Sequence, residues 1–226
     1  FSLFYLLSFY LYIYPVRDLS LNGTKTDRIK DRGFILSILF FFLATLFKET
    51  ALTLPILLLA YDYSFRKDAL LPTGRQASLL SPKTLYHLIK RYLPYLIVSA
   101  IYLILRIYAL GGVAPIPKKH AQLSNYEYLI NIFPLFIKYL EKLILPINMN
   151  AFYVFHPISS ILQWKGVITL LLTLGFVFLV YIFRRHKIVF LSLLWIVIPL
   201  LPVLYIPALG ENTFAERYLY LPSIGF

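Results

Sequence analysis

Long apolar runs broken by short clusters of lysine and arginine constrain this chain more than any other feature, because a bilayer is the solvent such a pattern fits. A hydrocarbon core about 30 Å thick takes roughly 20 apolar residues as helix. On that rule membrane spans are expected near 1–15, 33–47, 50–63, 93–110, 166–183 and 188–206. Only 14% of the residues are charged against 60% hydrophobic, well below the charge content of a soluble domain. The expected fold is therefore all-α, a polytopic transmembrane helical bundle of about six spans. The chain begins at Phe1 rather than Met and stops at Phe226 inside a polar-aromatic stretch, so both ends read as cuts in one larger domain.

The positions of the cations set an expected orientation. Arg17, Lys25, Arg28, Lys30 and Arg32 fall between the first two runs, and Arg66, Lys67, Arg75, Lys83, Lys90 and Arg91 between the third and fourth. Both clusters read as cytoplasmic. Two loops on one side need an even number of crossings between them, so 33–63 is expected to be a hairpin with Lys48 and Glu49 at its outer turn. Arg184, Arg185 and Lys187 mark the next inward turn, which places 111–165 outside. The segment 127–145 carries Glu127, Asn131, Lys138, Glu141 and Lys142 among its apolar residues and reads as an interfacial helix. The closing segment 207–222 is also expected on the outer side.

The 22 Lys and Arg residues give a formal net charge of +12, but they are dispersed between apolar runs and form no continuous basic face for nucleic acid. The chain has no Cys, which removes disulfides and thiol chemistry. His87, His120, His156 and His186 are scattered without a helical i, i+4 pair, and no metal site is expected. No internal repeat is evident. Pro115, Pro117, Pro146, Pro157, Pro199, Pro202 and Pro207 sit mostly at expected helix ends. Gly111 and Gly112 read as a helix end.

Several positions are candidates for chemistry. Lys48 and Glu49 are adjacent ionisable groups between apolar runs and must reach water, each other or a ligand; a solvated turn is the plain alternative. Glu216 and Arg217, with Tyr218 and Tyr220 beside them, lie in the densest polar-aromatic stretch, 211–226, which begins at Glu211. A guanidinium there can bind phosphate bidentately, and an interfacial anchor is the alternative. Arg106, inside an apolar run, reads as a cation snorkelling to the headgroups. Asp62 reads as a helix cap near the inner face. The aromatic run Phe152 to Pro157 suits either a groove lining or an aromatic belt.

Phe-Lys-Glu-Thr-Ala-Leu-Thr-Leu-Pro-Ile-Leu-Leu-Leu-Ala-Tyr-Asp at 47–62 and Ala-Glu-Arg-Tyr-Leu-Tyr-Leu-Pro-Ser-Ile-Gly-Phe at 215–226 together resemble the membrane domain of the transmembrane-and-tetratricopeptide-repeat O-mannosyltransferases, a GT-C-type glycosyltransferase family. Arg106 to Gly111 and Tyr139 to Pro146 fit the same pattern. The resemblance implies a GT-C-like multi-pass enzyme of a bacterial inner membrane or the endoplasmic reticulum. It would move a sugar, mannose in that family, from a polyprenyl-phosphate donor to protein hydroxyls on the non-cytoplasmic side. No cofactor is implied beyond that donor; the partners are membrane lipid and a protein acceptor. The resemblance puts the acidic base in a first outer loop upstream of Phe1 and tetratricopeptide repeats after Phe226. By position Lys48, Glu49, Glu216 and Arg217 match its motif residues. Lys48 and Arg217 are then expected to neutralise the donor phosphate, with Glu49, Glu216, Tyr218 and Tyr220 orienting or binding substrate. A transporter or lipid flippase, or a non-catalytic membrane scaffold, are the rival readings.

The orientation yields a test that is independent of activity. Asn22-Gly23-Thr24 is a glycosylation sequon placed in the cytoplasm, so expression in a eukaryotic host should leave it bare. A glycosidase-sensitive mobility shift that Asn22→Gln abolishes would invert the topology.

Overall fold

The computed structural model describes residues 1–22, 32–66, 82–110, 124–147, 150, 153, 156–205 and 214–226. Among these the regular structure is entirely helical. Lys25, Arg28, Lys30, Lys67, Arg75, Gly111, Gly112, Pro115, Pro117, His120, Phe152, Pro207, Glu211 and the Gly23-Thr24 half of the sequon lie outside the described residues. The chain forms two compact units, Phe1–Ala109 and Leu110–Phe226.

In the first unit α1 (Ser2–Asn22) packs along α2 (Arg32–Phe47), and a 3-10 turn (Glu49–Thr53) leads into α3 (Leu54–Phe65) and then α4 (Pro82–Leu110). The chain leaves helical geometry at Lys48, whose extended φ of −160° separates α2 from the turn, so 33–63 is not one long helix. Close approach of α1 and α2 rests on two small residues. The Ser8 hydroxyl donates to the Ser37 carbonyl at 2.6 Å, and the Ser37 hydroxyl returns the bond to the Ser8 carbonyl at 2.7 Å. Such reciprocal bonds let helix backbones meet without an apolar spacer. Tyr95 of α4 is fully buried against Tyr12, Phe34 and Phe41 and shares a 2.7 Å hydrogen bond with Ser37.

Asp62, read as a helix cap near the inner face, is completely buried at one end of this unit. Its carboxylate accepts from Tyr12 and, at 2.6 Å, from Tyr92, and pairs with Arg66 at 3.2 Å and Arg91 at 3.0 Å. At the other end of α4, Arg106 meets Glu49 at 3.4 Å and the Tyr102 hydroxyl at 2.9 Å. Arg91 and Arg106 are about 22 Å apart along the helix, with apolar sequence between.

The second unit begins with α5 (Asn125–Ile144), followed by α6 (Trp164–Ile182), a 3-10 turn (Phe183–Arg185), α7 (Lys187–Val197) and 3-10 turns at Ile198–Leu200, Glu216–Leu219 and Pro222–Ile224. A capping box starts α5: Ser124 Oγ accepts from the Glu127 amide at 3.2 Å, and Glu127 accepts from the Ser124 amide at 2.8 Å. Leu135, Phe136 and Tyr139 of α5 bury with Leu200, Val203, Leu204 and Phe214. Each large apolar side chain fully buried in this way contributes about 1.5–3 kcal/mol. Asn131 is also buried, not at an interface with water. Its amide donates to the Ile158 carbonyl and accepts from the Ile158 amide, both at 2.9 Å. Gly225 lies so close to α7 that an added Cβ would stand 2.4 Å from the Ser192 carbonyl oxygen.

Among the described residues two helical stretches, Leu88–Ala109 and Trp164–Arg185, are long and apolar enough to cross a membrane, against the expected six spans. Helices α2 and α3 have 16 and 12 residues, about 24 and 18 Å of rise, short of a full hydrocarbon core. The run at 188–206 leaves α-helical geometry after Val197, where Pro199 and Pro202 remove two amide donors. Of the most apolar windows of the two long stretches, only 17% and 11% is buried.

Removing Asp62 strands two guanidiniums without their counter-charge. Asp62→Ala should therefore destabilise the protein by roughly 3–5 kcal/mol, read as a lower unfolding midpoint in detergent. Exposed Tyr108→Ala should leave that midpoint nearly unchanged.

Candidate functional site

The second unit contains a cavity of about 560 Å³ lined by Lys142, Asn150, Glu216, Arg217, Tyr220 and Ser223, with Leu143, Pro146, Ala215 and Leu219. Two segments build it. The last turn of α5 contributes Lys142 and Leu143, because the helix stops at Ile144 ahead of Pro146. The 3-10 turn at Glu216–Leu219 contributes the acidic and basic pair. It stands where it does because Phe214 is buried against Tyr139 and Tyr153, with ring centroids 4.5 and 4.8 Å away.

Within this frame the charges are individually placed. The Tyr153 hydroxyl donates to Glu216, fixing that carboxylate at the wall, and accepts from the Asn150 amide at 3.0 Å. Arg217 is exposed, its guanidinium 5.5 Å from the Tyr218 ring centroid. Tyr220 lines the cavity, whereas Tyr218 packs against the core behind it. The Lys142 ammonium donates to the Ile147 carbonyl, which holds it at the rim.

Lys138, one helical turn before Lys142, has a different environment. Its ammonium lies 4.5 Å from the Tyr153 ring centroid and 4.7 Å from that of Phe214, a double cation–π contact. Burial among those rings lowers its pKa from the ordinary lysine value, with Glu141 opposing the shift and Lys142 and Lys165 adding to it.

The sequence-derived candidates thus divide between the units. Glu216, Arg217 and Tyr220 share one cavity, with Tyr218 beside it. Lys48 and Glu49 belong to the first unit. There Glu49 pairs with Arg106, and the Lys48 ammonium lies 5.7 Å from the Phe1 ring centroid. Arg106, read as a snorkelling cation, is an ion-pair partner. Of the aromatic run at 152–157, Tyr153 reaches the site, and His156 is exposed. Sequence reasoning missed Asn150, named Tyr153 only as part of a run suited to a groove lining and Ser223 only as part of the 211–226 stretch, and assigned Lys142 to an interfacial face. The placing of a glutamate, two cations and hydroxyl groups around one open cavity suits an anionic, hydroxyl-bearing ligand.

The chain matches no protein-family model, no curated protein and no solved structure.

Helix α5 carries Lys142, so its capping is tied to the site. Hydrogen bonds from the Ser124 amide and hydroxyl lower the Glu127 pKa from its ordinary value. A depressed carboxylate contributes stability above its unfolded pKa, about 4.3, and loses it as the pH falls through the folded value. An NMR titration should find Glu127 protonating below the usual glutamate range, and Ser124→Ala, which removes the hydroxyl bond and keeps the larger effect of the amide, should move it part of the way back up.

Proposed function

We propose that this chain is part of a GT-C-like, multi-pass membrane glycosyltransferase that moves a sugar, mannose by the resemblance, from a polyprenyl-phosphate donor to protein hydroxyls. The site faces the non-cytoplasmic side. The observation that carries the reading is the cavity at Glu216, Arg217 and Tyr220, because the motif that bears the family resemblance is the one that lines it. Its volume of about 560 Å³ suits a sugar and a phosphate together. The weakly buried apolar helices α4 and α6 are compatible with lipid around the protein and with a lipid-linked donor.

In this reading the anomeric carbon–oxygen bond to the donor phosphate breaks, and its electron pair stays with the phosphate. The acceptor hydroxyl oxygen bonds to the anomeric carbon. Its proton goes to the acidic residue that the resemblance places upstream of Phe1. Arg217 meets the charge that builds on the departing phosphate, an electrostatic role that needs a fixed cation more than an acid or base. Glu216, held by Tyr153, orients that cation or a sugar hydroxyl. Lys48 and Glu49 are separate candidates in the first unit. Within that unit the polar clusters stand near the two ends of the apolar stretch Leu88–Ala109 of α4. A substrate path through a transporter would favour ionisable groups near the midplane.

The test is a sugar-transfer assay of the full-length protein with polyprenyl-phosphate mannose and membrane extract. Wild type should transfer, and Arg217→Ala should lose at least tenfold to a hundredfold of the rate while expressing normally. Absence of transfer from any polyprenyl-phosphate sugar by wild type would favour the transporter or the scaffold.

A further inference from the structure

Two cations and one carboxylate line the cavity, and one of the cations was not expected there. Lys142 comes from the amphipathic helix α5, where its sequence context reads as an interfacial charge. The structure instead turns it to the same cavity as Arg217. Lys138 shows that this is not a generic property of the face, since it is one turn away and rests on the Tyr153 and Phe214 rings. Helix α5 ends two residues after Lys142, and the Ile147 carbonyl then holds the ammonium at the rim. Glu216, in the same lining, is anchored by Tyr153 and cannot swing away without breaking that bond.

We propose that Lys142 is a second phosphate-binding cation of this cavity and that Glu216 is the counter-charge that restricts it to a ligand with a single phosphate charge. The inference rests on the donor reading above and adds residue roles to it. Lys142 and Arg217 supply two positive charges and Glu216 one negative, leaving one net positive charge on the lining side chains. A phosphodiester such as a lipid-phosphate sugar carries one negative charge and balances it. A diphosphate carries at least two and meets the Glu216 carboxylate as an unneutralised like charge, a penalty that separates ligands by repulsion. The two cations also differ in kind. Arg217 offers a planar fork for two phosphate oxygens, and Lys142 a compact point charge.

The experiment measures binding by the full chain in lipid nanodiscs, using calorimetry with farnesyl phosphomannose, farnesyl diphosphate and inorganic phosphate as probes. Wild type should bind the phosphomannose more tightly than the other two. Lys142→Met, which keeps the alkyl stem, should weaken phosphomannose binding about tenfold, the effect of losing one charge-assisted contact, and Lys142→Arg should restore most of it. Glu216→Gln should improve farnesyl diphosphate about tenfold more than phosphomannose, an effect that loss of folding cannot imitate. Lys142→Met binding within twofold of wild type, while Arg217→Ala loses affinity, would overturn the role of Lys142 and leave the donor reading standing. An equal effect of Glu216→Gln on both lipid probes would overturn the charge-matching role. Inorganic phosphate binding as tightly as phosphomannose, with Lys142→Met still weaker, would overturn the lipid-donor reading but keep Lys142 as an anion ligand. No binding of any probe by wild type would overturn both.

Discussion

A single carboxylate without access to water organises the first unit. Asp62 draws Tyr12 from α1, Arg66 from the end of α3, and Arg91 and Tyr92 from α4 onto one point. Burying those charges is costly, and their mutual attraction does not by itself make the unit more stable than an apolar core of the same volume. What such a cluster supplies is register. Three helices with interchangeable apolar faces can slide along one another, but only one alignment brings both tyrosines and both arginines to the same carboxylate. The serine pair between α1 and α2 acts in the same sense halfway along, since reciprocal bonds to backbone carbonyls fail if either helix shifts by a residue.

The second unit reaches its order by a different route. Helix α5 has a strongly two-sided sequence and a well-capped start, and its buried side carries Leu135, Phe136 and Tyr139 into an aromatic core with Phe214. The cavity is formed beside this core. Tyr153 serves both, stacking edge-on against Phe214 and donating to Glu216, so packing of the core and direction of the carboxylate are one arrangement.

Much of the helix layout was legible in the sequence because apolar runs and their breaks are local. The interruption at Lys48, the separate helix near 127–145 and the turn at Arg184 and Arg185 all follow from neighbouring residues. Span number was not legible, because hydropathy does not show where prolines and short turns end a helix early, as after Val197 and at Lys48. Asp62 shows a further limit. Arg66, four residues on, is visible as a helical neighbour, but Tyr12, Tyr92 and Arg91 come from other helices and leave no local trace. Likewise Lys138 and Lys142 are equivalent in a helical wheel, and only the position of the 214–220 segment decides that one meets aromatic rings and the other a cavity. Glu216, Arg217 and Tyr220 were readable as a group because they are contiguous and share one turn.

Asn131 presents its amide to Ile158 as a peptide group would, giving one hydrogen bond and taking one. That tie fixes where the chain returns to α5 before α6 begins, while Ile147, Asn150 and Tyr153 pin positions of the intervening stretch to the cavity. Its length is therefore part of the wall's construction, since an added or removed residue would shift one of those anchors against the others.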